Sequence, residues 1–298
     1  MRDVLSELLD LLRLERIEEK LFRGQSQDLG WGSVFGGQVL GQAVSAAAQT
    51  LPGDRHVHSL HGYFLRQGDA SRPIVYEVDA IRDGGSFTTR RVVAIQNGHA
   101  IFSLSASFQV DEGGFDHAAD MPLGIPGPED LPSELDLARK FADRIPEPFR
   151  AMAVADRPIE IRPVQPFNLL NPRPLPPRRQ LWYRANGRLP DDPAVHRYLL
   201  AYASDFNFLV TAMLPHGVSW LTPGMQVASL DHAMWFHRPF RFDEWLLYDV
   251  DSASASGARG LVSGRFYTRD GRLVASVAQE GLMRDRRVKT PNEVAVQK

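Results

Sequence analysis

Apolar residues recur along this chain with two different periods. In "MRDVLSELLDLLRLERIEEKLF" the residues Val4, Leu5, Leu8, Leu9, Leu11, Leu12 and Leu14 are spaced for one helical face, with Asp, Glu and Arg between them, so an amphipathic helix is predicted there. A Gly-rich loop leads into a second helix, about residues 37–50, closed by Pro52 and Gly53. Its small apolar face of Val39, Leu40, Ala43, Val44, Ala46, Ala47 and Ala48 predicts close packing on a sheet. The period then drops to two. β-Branched residues alternate through 56–65, 74–82, 87–96 and 100–110, parted by "RQGDASRP", "DGG" and "NG", which predicts an antiparallel meander and an α+β fold.

The stretch from 113 to 158 carries Gly and Pro clusters and reads as a surface linker with one helix near 135–144. A second unit, 159–298, opens with strands at 159–163 and 179–188. A helix is expected over 194–214, "AVHRYLLAYASDFNFLVTAML", apolar nearly all round and therefore buried. Strands follow at 227–236, 244–253, 260–267 and 273–283. The pieces "RRVVAIQNGHAIFSLSASFQ" and "RGLVSGRFYTRDGRLVASVAQE" share a strand, a two-residue turn and a strand. The chain therefore reads as a duplication, units 1–112 and 159–298, with a site where the two helices and sheets meet.

Composition narrows the chemistry. With 34 basic and 36 acidic residues and no run of like charge, nucleic acid is not an expected partner. The absence of cysteine removes thiolate nucleophiles and cysteine-ligated metals. No stretch reaches the ~20 apolar residues of a membrane span, and a cytoplasmic location is expected.

Asp205 stands out because it lies among Ala201, Tyr202, Phe206, Phe208 and Leu209, where an unpaired carboxylate is costly. It is either a capping or satisfied core residue, or a general base. Gln279, at a strand end, offers a donor and an acceptor. Ser229 lacks a G-x-S-x-G elbow, which favours water positioning over nucleophilic attack. Gly36 and Gly37 open a helix whose free N–H groups suit an anion or a carbonyl oxygen, although close packing explains them equally. His56 and His58 alternate onto one strand face without a third ligand nearby, so no metal is expected. His232 and His237 are five apart in a strand and are expected on opposite faces, which argues against histidine chemistry in "DHAMWFHRPFRFDEW".

The motifs "GWGSVFGGQVLGQA", "VHSLHGYFLRQGD", "YASDFNFL", "SLDHAMWFHRPFRFDEWLLY" and "GRFYTRDGRLVASVAQEGLMR", in this order, resemble the acyl-CoA thioesterase II (TesB-like) family over nearly the whole chain. The resemblance implies a double hotdog, two tandem units each with a helix wrapped by an antiparallel sheet. It implies hydrolysis of acyl-CoA by a water without an acyl-enzyme. The family's Asp, hydroxyl and Gln fall on Asp205, Ser229 and Gln279, and His58 is a further family-associated candidate. Homo-oligomers are expected by the same analogy, and no cofactor is called for. A hotdog hydratase or dehydratase and a non-catalytic acyl-CoA-binding protein are the competing readings. Arg66, Arg90, Arg91 and Arg259 are candidates for a basic patch at the mouth.

Overall fold

The computed structural model describes residues 3–287; residues 1–2 and 288–298, the outer ends of the two expected units, lie outside them. Helix α1 (Val4–Leu12) starts at Asp3, whose carboxylate accepts from the Ser6 amide at 2.8 Å, and buries Leu5, Leu8 and Leu12. It stops earlier than expected. Arg13 is extended, and the charged residues after it form a hairpin, β1 (Glu15–Glu18) and β2 (Leu21–Gly24). The acidic run resembles the polar face of a helix, but Phe22 is buried between half-buried Leu21 and exposed Arg23, so the alternation prevails at the sheet edge.

Helix α2 (Gly36–Ala48) follows, buried from Gly37 to Ala47. Strands β3 (His56–Phe64), β4 (Ile74–Asp83), β5 (Phe87–Gln96) and β6 (His99–Gln109) lie close to their expected places. The span 113–158 contains α3 (Glu134–Lys140), begun by a Ser133–Asp136 capping box, and a second helix, α4 (Glu147–Ala153), that the pattern did not indicate. The second half adds β7 (Ile159–Pro163), β8 (Arg178–Ala185), α5 (Pro193–Ser204), α6 (Val210–Met213), β9 (Met225–Ser229), β10 (Asp231–Phe236), β11 (Leu246–Ser256), β12 (Arg259–Thr268) and β13 (Leu273–Asp285).

All strands join one antiparallel sheet in the order β1-β2-β4-β5-β6-β3-β10-β13-β12-β11-β8-β7, with β9 beside β13. The halves meet at β3 and β10, where Leu60 faces Met234. Helices α2 and α5 pack against each other, and one hydrophobic core links α1, α2, α5 and both halves of the sheet. Gly37 sets their approach: a Cβ there would lie 2.2 Å from the Tyr202 carbonyl oxygen, a distance no side chain tolerates. The α+β architecture expected from the pattern is thus borne out. Among the described residues no helix is long and apolar enough to cross a membrane.

Candidate active site

The expected helix over 194–214 is broken at the residue singled out for its chemistry. Helix α5 ends at Ser204, Asp205 forms its C-cap, and Asn207 adopts a left-handed conformation (φ 61°) before α6 begins. Carbonyl groups freed inside a protein need partners. The buried Tyr248 and Tyr183 hydroxyls supply them, donating to the Ser204 and Phe206 carbonyls at 3.1 and 3.0 Å. The Asn207 amide donates to Glu134 of α3 at 3.1 Å, which ties the linker to the break. Hydrophobicity alone does not register this interruption, because the residues on both sides remain buried.

Ser229 is placed by a second irregularity. It lies opposite Gly281, whereas Ala233 lies opposite Ala278, so the β9–β10 segment uses one more residue than β13. This is a β-bulge around Leu230. In a regular strand, residues 229 and 232 would point to opposite faces; the extra residue lets both turn inward. The expected single strand over 227–236 is accordingly two strands. Ser229 donates to Asp205 Oδ1 at 3.2 Å and accepts from Gln279 Nε2 at 2.9 Å.

Gln279 is 1 % exposed, and its carbonyl end lies 2.6 Å from His232 Nδ1. His232 is fully buried, and its Nε2 lies 2.9 Å from the Ser204 hydroxyl. Burial lowers the His232 pKa from the ordinary histidine value, while the nearby Asp205 opposes that shift. The three polar residues flagged in the sequence thus form one hydrogen-bonded chain, and His232, which strand parity had set aside, continues it inward. Parity was sound for His237, which bonds Ser276, but it missed the bulge that turns Ser229 and His232 together.

The start of α2 closes the site from the other unit. A Cβ on Gly36 would lie 2.7 Å from Asp205 Oδ2 and 3.0 Å from the Phe64 ring, so the backbone reaches the carboxylate only because this residue is glycine. Helices α1, α3 and α5 receive side-chain caps from Asp3, Ser133 and Asp192, whereas α2 begins at Phe35 without one. Its first amides stay available to a ligand at the positive end of the helix dipole. Phe35 stacks on Phe206 with ring centres 4.2 Å apart and meets Tyr202 edge-on, forming an apolar wall.

His58 lies elsewhere. It hydrogen-bonds Ser107 at 2.8 Å and meets Phe87 edge-on, within β3, β5 and β6. Arg90 is not a surface residue. It is 1 % exposed and binds Asp83 and both oxygens of Thr50, locking the chain after α2. Arg91 pairs with Asp79, Arg259 with Glu280, and Arg66 donates to the Ala100 carbonyl.

Two helix-on-sheet units fused in one chain, with polar groups gathered where one helix starts and the other ends, make a double-hotdog protein. A solved protein of unknown function with the hotdog fold from Alicyclobacillus acidocaldarius superposes with a TM-score of 0.73 at 18 % identity, covering 93 % of this chain and 98 % of that one. Residues 26–109 match the model of the acyl-CoA thioesterase N-terminal domain, and 149–282 that of acyl-CoA thioesterase. Acyl-CoA thioesterase 2 of Haemophilus influenzae is 45 % identical over 95 % of this chain and 99 % of its own. For acyl-coenzyme A thioesterase 8 of Homo sapiens, identity is 42 % over 92 % and 88 %. The crystal structure of the acyl-CoA thioesterase II TesB2 from Mycobacterium marinum, 44 % identical, superposes with a TM-score of 0.74 over 93 % of this chain and 98 % of that one. This chain belongs to the acyl-CoA thioesterase family.

Proposed function

We propose that the chain hydrolyses fatty acyl-CoA to a free fatty acid and CoA by means of a water held at Asp205, Ser229 and Gln279. The observation that carries this reading is the chain Gln279–Ser229–Asp205, which ends on a half-buried carboxylate beside the uncapped start of α2. Gln279 and Asp205 fix the Ser229 hydroxyl, and Asp205 Oδ2 is left to take a proton. The water oxygen bonds to the thioester carbonyl carbon as its proton passes to Asp205. The carbonyl oxygen takes the negative charge and is stabilised by the Gly36 and Gly37 amides. The C–S bond then breaks and CoA leaves as a thiolate, a good leaving group, so no strong general acid is required.

The hydratase reading needs a histidine free to exchange protons with substrate. His232, the histidine joined to the three residues through Gln279, is fully buried with both ring nitrogens engaged. That favours hydrolysis. Acyl-CoA is the partner this reading implies. Association with further copies of the chain is also proposed, on the exposed Tyr63 and the partly exposed Trp235 near the β3–β10 junction.

The test is thiol release from an acyl-CoA series by wild type and Asp205→Asn. Loss of a positioned base lowers kcat by roughly 10²–10⁴-fold, with the melting temperature little changed. Full turnover in the variant would remove Asp205 from this role.

A further inference from the structure

A side-chain amide has two nearly isosteric ends, and only its hydrogen-bond partners decide which end faces which neighbour. For Gln279 to donate to Ser229, its carbonyl must face inward, toward His232 Nδ1. That contact is a hydrogen bond only if Nδ1 carries the proton. Were the proton on Nε2, the bare Nδ1 lone pair would face the carbonyl oxygen at 2.6 Å. The amide would then turn over and present its oxygen to Ser229. The Ser229 hydrogen would be drawn to Gln279 and away from Asp205.

We propose that His232 is a positioning residue for hydrolysis: held as the Nδ1–H tautomer between Ser204 and Gln279, it sets the orientation of the Gln279 amide and so directs the Ser229 hydroxyl onto Asp205. The inference rests on the water-hydrolysis reading above. The Ser204 hydroxyl donates to the Ala201 carbonyl at 2.8 Å and lies 2.9 Å from Nε2. A hydroxyl has one hydrogen, and it meets a bare Nε2 only by turning from Ala201, so the Gln279 carbonyl at Nδ1 is what selects the tautomer.

The duplication shows that folding does not need this polar pair. In the first unit Leu60 faces Ala106 across β3 and β6. Extending the β10–β13 register by one residue puts His232 opposite Gln279. Ala106 and Gln279 lie equally far beyond the Asn97–Gly98 and Asp270–Gly271 turns. Leu60 and Ala106 are both fully buried, so an apolar pair fills the corresponding place in the same fold. Two buried polar side chains instead of two apolar ones are a cost that packing does not demand.

The test compares wild type with His232→Leu, His232→Asn, Gln279→Leu and the His232→Leu/Gln279→Leu double variant on one medium-chain acyl-CoA. His232→Leu lowers kcat by about tenfold, the scale of one lost directed hydrogen bond, and KM changes by less than about twofold. His232→Asn, whose amide can donate from near the Nδ1 position, recovers most of the loss. The double variant is no slower than Gln279→Leu alone. An unchanged kcat in His232→Leu, or its full loss repeated on top of Gln279→Leu, overturns the proposal. ¹⁵N NMR of the imidazole in the wild-type protein supplies a readout independent of activity and of whether the leucine variant folds. It shows Nδ1 protonated and Nε2 bare, and the reverse pattern overturns the proposal. Full turnover in Asp205→Asn would sink the hydrolysis reading separately, leaving the tautomer measurement intact.

Discussion

Adjacent glycines at the start of α2 have different duties, and substitution separates them. A Cβ at Gly37 meets the Tyr202 backbone carbonyl at 2.2 Å, which can yield only if the two central helices move apart. Gly37→Ala therefore costs stability, about 1–3 kcal/mol as for other overpacked cores, seen as a lower denaturation midpoint. A Cβ at Gly36 meets the end of the Asp205 side chain at 2.7 Å and the edge of the Phe64 ring at 3.0 Å; the carboxylate can swing, and the ring need give by only a few tenths of an ångström. Gly36→Ala is expected to fold nearly as well as wild type but to lose kcat by roughly a hundredfold, since a displacement near 1 Å at the reacting centre has that scale. If urea titration and thiol release gave the two variants the same profile, the division of labour would be wrong.

At the scale of elements, two interruptions make the site: the break after α5 and the bulge between β9 and β10. Deleting Leu230 removes the extra residue that lets Ser229 and His232 turn inward together. We expect kcat to fall by at least about a hundredfold while circular dichroism still reports the sheet; an active deletion variant would show that the bulge does not set the geometry. These interruptions also mark the limit of what was legible in the sequence. Alternation located β3 to β6 and the major strands of the second half, because a buried face every second residue leaves a direct trace. Asp205 was conspicuous among apolar neighbours, yet the break beside it was not, since Phe208, Leu209 and Val210 remain buried on its far side. Ser229 was read by itself as a water-positioning hydroxyl, Gln279 gained a role only from the family resemblance, and their bonding depends on contacts between distant strands. His232 could have been found by laying the two halves together, where a polar pair answers Leu60 and Ala106.

For the whole molecule, burial holds the pKa values of His56, His58, His196 and His232 below the ordinary histidine value of 6.5. The unfolded chain then takes up protons at a higher pH than the folded one, so stability falls as pH drops below about 6.5 and continues to fall toward the folded pKa values. Melting temperatures measured between pH 7.5 and 5.5 should decline by on the order of a few degrees. A flat or rising profile would contradict the burial of these rings. Fusion of the two units has another consequence. In a pair of identical subunits every substitution appears twice, once in each symmetry-related position. Here Leu60 and Ala106 can remain oil while His232 and Gln279 are wired together, because inheritance acts on each half separately. The covalent link therefore gives up the redundancy of twin active centres and gains the freedom to make one half scaffold and the other machine.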